Sequence, residues 1–188
     1  MQPRILITGP SGVGKTTLAK WVSEEYQIPF VSVSIIRDIC KYNDITNHQQ
    51  IIDLSSTNPE LHDLMQWELW VTRINKFMEH QLSGFVTDRG HVDSLVYMSM
   101  QGKPSSLPRF INGSKLVRNL FSHIIFIPMT PGWEVKDDKK RIANKEYQLR
   151  VSRVYVDILN MLEVPYFTLV NPDFEIRKLF VENYINQD

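Results

Sequence analysis

An α/β fold with a mainly parallel sheet of five strands is predicted by three features of this 188-residue chain. Short runs rich in Ile, Val, Phe and Tyr alternate with longer segments of helical period, the pattern of strands joined by crossover helices. The runs are brief and nearly all apolar, as strands buried on both faces are. A glycine-rich turn lies between the first run and the first helical segment, where a strand would hand over to a helix.

The predicted strands are residues 4–8, 29–33, 84–87, 123–127 and 166–170. Leu18, Trp21, Val22 and Tyr26 recur at helical spacing after the glycine turn, so a first helix starts near Lys15 and packs that stripe on the sheet. Leu61, Leu64, Met65, Trp70, Ile74, Phe77 and Met78 mark a long helix leading into the third strand. Tyr147, Val151, Val154, Tyr155, Ile158 and Leu162 mark another, and Ile176, Leu179, Phe180 and Tyr184 a last one. Two stretches interrupt the alternation and read as loops: residues 42–60, rich in Asn, Asp, Ser and Thr, and residues 102–114, with two prolines and two glycines. Loops this long are often functional, which makes both candidates for elements on the acceptor side of a site.

The length suits one domain, residues 1–188, burying about 70% of its unfolded surface. Hydrophobic residues at 43% and charged residues at 22% match an ordinary globular mixture, which argues against disorder and a membrane class. Lys plus Arg equals Asp plus Glu, so net charge does not recruit nucleic acid or an anionic membrane. Cys40 is the sole cysteine, which excludes an intramolecular disulfide and fits a reducing compartment. The five histidines show no paired ligand spacing. The apolar run at the N-terminus, Ile5 to Ile7, is too short for a signal peptide, and no stretch reaches the ~20 apolar residues of a membrane span. A cytoplasmic location is expected.

Gly9-Pro10-Ser11-Gly12-Val13-Gly14-Lys15-Thr16 satisfies G-x-x-x-x-G-K-[ST] in full, in the strand–loop–helix context its mechanism requires. Glycines let the backbone curl round a phosphate with its N–H groups pointing inward, and the following helix N-terminus favours the negative charge. Lys15 is then the catalytic cation at the β and γ phosphates of ATP, or of GTP, and the Thr16 hydroxyl is a ligand for Mg²⁺. Thr17 completes the nucleotide-binding stretch at a first-turn position where a polar residue is also ordinary. The expected architecture is therefore a P-loop three-layer sandwich.

Phe85-Val86-Thr87-Asp88 ends an apolar run in a carboxylate, which puts Asp88 at the C-terminal end of a parallel strand, where ligands bind. There it can hold Mg²⁺ or take a proton from the acceptor hydroxyl; the structural alternative is an aspartate before a helix starting near His91. Arg89 follows, with the fork geometry that suits a phosphate.

On residues 9–16, Asp88-Arg89 and the run Asp137-Asp138-Lys139-Lys140-Arg141, the chain resembles small P-loop kinases of the nicotinamide riboside kinase-like, AAA-type group, and more distantly thymidylate kinase. The resemblance covers nearly the whole chain. It implies a nucleotide-kinase-like sheet of order 2-3-1-4-5, ATP as donor, and acceptor-binding residues at Arg37, Asp38 and Arg89. It further implies a lid-like segment around residues 131–150, with Arg141 catalytic. Two positions depart from the pattern: Ser34 stands where the riboside kinases carry an acidic residue, and Lys139-Lys140 stand where relatives often have glycine. After the lid, Arg150 and Arg153 lie at i and i+3 on one helix face, free to meet phosphates or to form a solvated charged face with Asp157.

The function expected is ATP- and Mg²⁺-dependent phosphoryl transfer to a nucleoside, a nucleoside monophosphate or a related small acceptor. Two alternatives stay open: a kinase acting on a base or end within nucleic acid, which the neutral charge disfavours, and an ATPase switch with no small acceptor. Arg37 and Arg89, at predicted strand ends, tilt the acceptor towards one bearing a phosphate.

Overall fold

A computed structural model describes residues 2–34, 45–46, 48–100, 106–130 and 145–187. Arg37, Asp38, Cys40 and residues 137–141 with Arg141 lie outside them. The described strands are β1 (Arg4–Thr8), β2 (Phe85–Thr87), β3 (His123–Phe126) and β4 (Phe167–Thr168). They form a four-stranded parallel sheet of order β2-β1-β3-β4. The helices are α1 (Lys15–Glu25), α2 (His48–Thr57), α3 (Pro59–Glu79), α4 (His91–Met100), α5 (Leu107–Leu116), α6 (Lys145–Met161) and α7 (Phe174–Ile185). Arg118–Leu120 is a 3₁₀ turn.

The alternation of side chains along β1 sorts the core into two layers. Leu6 joins Phe77 of α3, Leu95 of α4 and Tyr155 of α6 on one face. Ile5 and Ile7 join Leu18 and Val22 of α1 and Val181 and Ile185 of α7 on the other. All three β1 residues are fully buried, as a strand covered on both faces must be. The predicted helices carrying these residues form as expected, and α3 has its own start signal: the Asn58 side chain accepts from the Leu61 N–H at 3.2 Å, with Pro59 in the first turn.

The sheet has four strands where five were predicted. Residues 29–33 run alongside β2 but make only one bridge, Phe30 to Val86, closed by hydrogen bonds from Val31 N to Val86 O and from Val86 N to Pro29 O. Pro29 has no N–H to donate, so this ladder cannot extend towards the start of the run.

Both predicted loops also need correction, because each contains a helix. In α2, Ser56 and Thr57 fold their hydroxyls back onto the Asp53 carbonyl at 2.9 Å, so residues read as turn formers are accommodated inside the helix. Ile51 then packs with Val33 and with Met65 and Leu69 of α3. In α5, Pro108 sits in the first turn, where its missing N–H has no helical partner to lose. Gly113 is a packing glycine: a Cβ there would approach Trp70 to 3.1 Å. Phe110 is buried edge-on against Trp67 at 5.3 Å. Tertiary packing overrides weak local propensity in both segments. Among the described residues, no helix is long and apolar enough to cross a membrane.

Candidate active site

The turn between β1 and α1 takes its shape from glycines with positive φ: Gly9 at 141°, Gly12 at 87° and Gly14 at 83°. At Gly9 the constraint is also steric, since a Cβ would lie 2.2 Å from the Ile127 carbonyl oxygen just past β3. Gly14 is the left-handed residue that opens α1, and its carbonyl accepts the first helical bond from Leu18 N at 3.1 Å. The Lys15 side chain is buried, and its ammonium donates to the Pro10 carbonyl at 2.5 Å.

The loop opens on a cleft of about 400 Å³ at the C-terminal ends of β1 and β2. Lys15, Thr16, Asp88 and Arg89 all line it, as do Ser11, Gly12, Gly14 and Thr17. The Thr16 hydroxyl donates to Asp88 Oδ2 at 2.5 Å. Gly9, Pro10 and Val13 shape the loop from behind the lining. Arg150 and Arg153 are exposed on α6 and take no part in the lining.

Arg89 spans the cleft. It donates to Ser11 Oγ at 3.4 Å on the phosphate-loop side and to Tyr97 Oη at 3.5 Å on α4, with its guanidinium carbon 5.6 Å from the Tyr97 ring centre. It also faces Asp93 at 3.8 Å. Burial alone would lower its pKa, but Tyr97 and Asp93 outweigh that and hold it above the ordinary arginine value.

Asp93 is a hub that sequence reasoning did not single out. Its Oδ2 accepts from Gly90 N at 2.7 Å and from Thr8 Oγ1 at 3.1 Å, and its Oδ1 accepts from Tyr155 Oη at 2.7 Å. One buried carboxylate thus ties β1, the turn after β2, α4 and α6 together. Burial, then Asp93, push the Tyr155 phenol well above its ordinary pKa, so it remains the donor.

The lining includes two more residues that sequence reasoning missed, Gln66 and Arg73 of α3. Arg73 is only 3% exposed; its Nη1 donates to Gly90 O at 3.1 Å and Ser94 Oγ at 2.9 Å, while Nε has no partner among the described residues. Burial lowers its pKa and Asp93 offsets part of that effect. A signal was available: Gln66, Trp70, Arg73 and Phe77 follow helical spacing on the buried stripe, where a lone cation is out of place unless it serves a site. Gln148 of α6, also missed, is buried and accepts from Ser11 N at 3.1 Å.

His91 follows this turn and is fully buried, stacked on Phe121 at 5.7 Å with neither ring nitrogen paired among the described residues. Burial pulls its pKa down to about 4.

A model of the AAA domain family matches residues 4–177. The chain belongs to the AAA domain family. Solved structures share the fold of this AAA domain over nearly its whole length. Deoxyadenosine kinase from M. mycoides with bound dATP is 15% identical, with a TM-score of 0.71 over 98% of this chain and 100% of that one. Thymidylate kinase from Candida albicans is 15% identical, with a TM-score of 0.58 over 98% and 92% of the two chains. Shikimate kinase from Acinetobacter baumannii in complex with shikimate is 14% identical, with a TM-score of 0.59 over 100% and 96%. At these identities the likeness is one of fold, a nucleotide-kinase-like α/β sandwich. The curated proteins contain no match to the chain.

Proposed function

We propose that this AAA domain transfers the terminal phosphoryl group of ATP, or GTP, to a nucleoside, a nucleoside monophosphate or a related small acceptor, with Mg²⁺ as cofactor. One observation carries the reading: Lys15, Thr16 and Asp88 share a single cleft with two arginines outside the loop, Arg73 and Arg89. Such a cleft offers cations beyond those of the phosphate loop, which a transferase needs for its acceptor and a plain hydrolase does not. The kinases of similar fold support the same class.

In this reading Lys15 exchanges its bond to the Pro10 carbonyl for the β and γ phosphates and offsets the charge that grows there during transfer. The metal site fits its chemistry: the Thr16 hydroxyl and the Asp88 carboxylate are hard oxygen donors already in contact at the mouth of the loop. Mg²⁺ bound there supplies further charge neutralisation on the phosphate oxygens. A Mg²⁺ ion held by two protein oxygens would take its remaining ligands from nucleotide and water. Asp88 or Asp38 takes the acceptor proton, Arg37 and Arg89 bind the acceptor, and Arg141 closes over the transferring group from a lid around residues 131–150. The whole chain, residues 1–188, acts as one kinase-like domain. The narrower kinship with nicotinamide riboside kinases rests on the Arg37-Asp38, Asp88 and Asp137 to Arg141 pattern, against which Ser34 counts.

Within that class the reading favours an acceptor that carries a phosphate, because Arg73 and Arg89 both bring guanidinium groups to the cleft lining, and free hydroxyls give such groups little to bind. Incubation with MgATP and pooled nucleosides, monophosphates and small hydroxyacids tests the class. ADP release that depends on one acceptor supports the kinase. Hydrolysis at the same rate without any acceptor would move the chain to the ATPase switch.

A further inference from the structure

Arg177 lies far from the cleft in sequence and belongs to none of the motifs above. It sits in the first turn of α7 and is 3% exposed. Its Nη1 donates to the Val13 carbonyl at 2.8 Å, across 164 positions of sequence, and its Nε donates to the Asn171 carbonyl. Asn171 and Asp173 build the turn that starts α7: Asn171 Oδ1 accepts from Asp173 N at 2.9 Å, and Asp173 Oδ1 caps Ile176 N at 3.0 Å. One guanidinium therefore fastens the phosphate loop to the start of the last helix.

The carbonyl it holds matters because of what lies at the other end of the same peptide. Val13 C=O and Gly14 N–H belong to one planar unit, and the described chain contains no cis peptide bond, so the two groups point in opposite directions. Val13 is fully buried and absent from the cleft lining, whereas Gly14 lines it. A cation on the carbonyl fixes the plane of that peptide and draws electron density from its nitrogen, which makes the N–H a stronger donor towards an anion. The approach is close: a Cβ at position 14 would come within 3.0 Å of Arg177 Nη1 and push the guanidinium aside by a few tenths of an ångström, in addition to the strain of a φ of 83°. Burial lowers the Arg177 pKa only to about 10, which leaves the group charged at neutral pH.

We propose that Arg177 is a positioning residue for phosphate binding, which orients and polarises the Val13–Gly14 peptide from behind so that Gly14 N–H is a preset donor to the nucleotide phosphates. The inference rests on the reading of residues 9–16 as a phosphate loop. It assigns α7 a part in nucleotide affinity, although no residue of α7 lines the cleft.

Calorimetric titration well below the melting temperature tests it with two probes, MgADP and magnesium tripolyphosphate, which has phosphates and no base. Arg177→Met keeps the buried stem and deletes the donors; both probes should weaken in parallel by about tenfold. The nucleotide KM should rise by a similar factor while kcat stays within about threefold, as expected for lost uniform binding. Arg177→Lys restores a charged donor and should recover much of the affinity, which a role in stability alone would not produce. If MgADP weakens and tripolyphosphate does not, Arg177 acts on the base through the turn at Asn171, and the inference is wrong. Unchanged affinity for both probes overturns it as well. If Arg177→Met does not fold, Arg177→Gln, a neutral donor, takes its place: parallel weakening of both probes supports the inference and unchanged affinity refutes it. A wild-type protein that binds neither probe refutes the phosphate-loop reading itself, a result distinguishable from failure of the variants.

Discussion

Thr16 and Asp88, 72 positions apart, meet hydroxyl to carboxylate at 2.5 Å. The contact joins the first turn of α1 to the end of β2, and it exists because β1 and β2 are parallel neighbours with Leu6 opposite Thr87. If the pair holds the metal, its members act as a unit. Thr16→Ala and Asp88→Asn should each lower kcat by about 10²-fold, with nucleotide affinity much less affected. The double variant should lose far less than the product of the two. Multiplicative losses in a double-mutant cycle of steady-state rates would separate the two residues and return Asp88 to a structural role.

Lys15→Ala should reduce phosphoryl transfer by roughly 10²-fold or more while far-UV circular dichroism and the melting curve remain near wild type. The ammonium donates to the Pro10 carbonyl, a polar contact at the loop and not a core contact of the sheet. Turnover near the wild-type rate in this variant would overturn the proposed function.

The acceptor can be read through Arg89. With ATP and Mg²⁺ fixed, each nucleoside and its 5′-monophosphate should differ in kcat/KM in favour of the monophosphate, and Arg89→Ala should abolish that difference. Equal losses for both acceptors would show that Arg89 serves the phosphate loop, through its contact with Ser11, and not the acceptor.

His91 makes stability depend on acid. Its folded pKa is about 4 against an unfolded value of 6.5, so between these limits the unfolded chain binds a proton that the folded chain excludes. Stability from this group is full above pH ~6.5 and falls by about 3 kcal/mol as the pH drops towards 4. His91→Phe, which keeps a ring against Phe121, should flatten the urea-denaturation midpoint over that range. An unchanged slope in the variant would assign the acid sensitivity to other groups.

The phosphate loop was legible because its chemistry constrains eight consecutive positions, and β1 and α1 flank it as its mechanism demands. The place of Asp88 and Arg89 just past the end of β2 was legible because an apolar run ending in a charge marks a strand end. The cleft-lining places of Asp93 and Gln148 were not legible, since each is a polar residue on a helix whose meaning depends on which helix faces which strand, a tertiary fact; Arg73 left a signal, as a cation on the buried stripe of α3, that spacing alone does not tie to the cleft. The helices α2 and α5 were hidden for a related reason. Their serines, asparagine, proline and glycine read locally as loop, and only contact with α3 shows what each side chain does. The short pairing of residues 29–33 turned on backbone hydrogen bonds, which hydrophobicity alone does not set.

The contact between Gly9 and the Ile127 carbonyl has a bearing on how variants of this chain are to be interpreted. Any side chain at position 9 would have to occupy space held by main chain past the end of β3, and main chain cannot swing aside as a flexible side chain can. A mutational scan will therefore record position 9 as intolerant in every assay that requires a folded protein, whatever the ligand. Loss of activity there carries no information about phosphate contact. Positions whose side chains project into open space, such as Thr17, will separate defects of chemistry from defects of architecture.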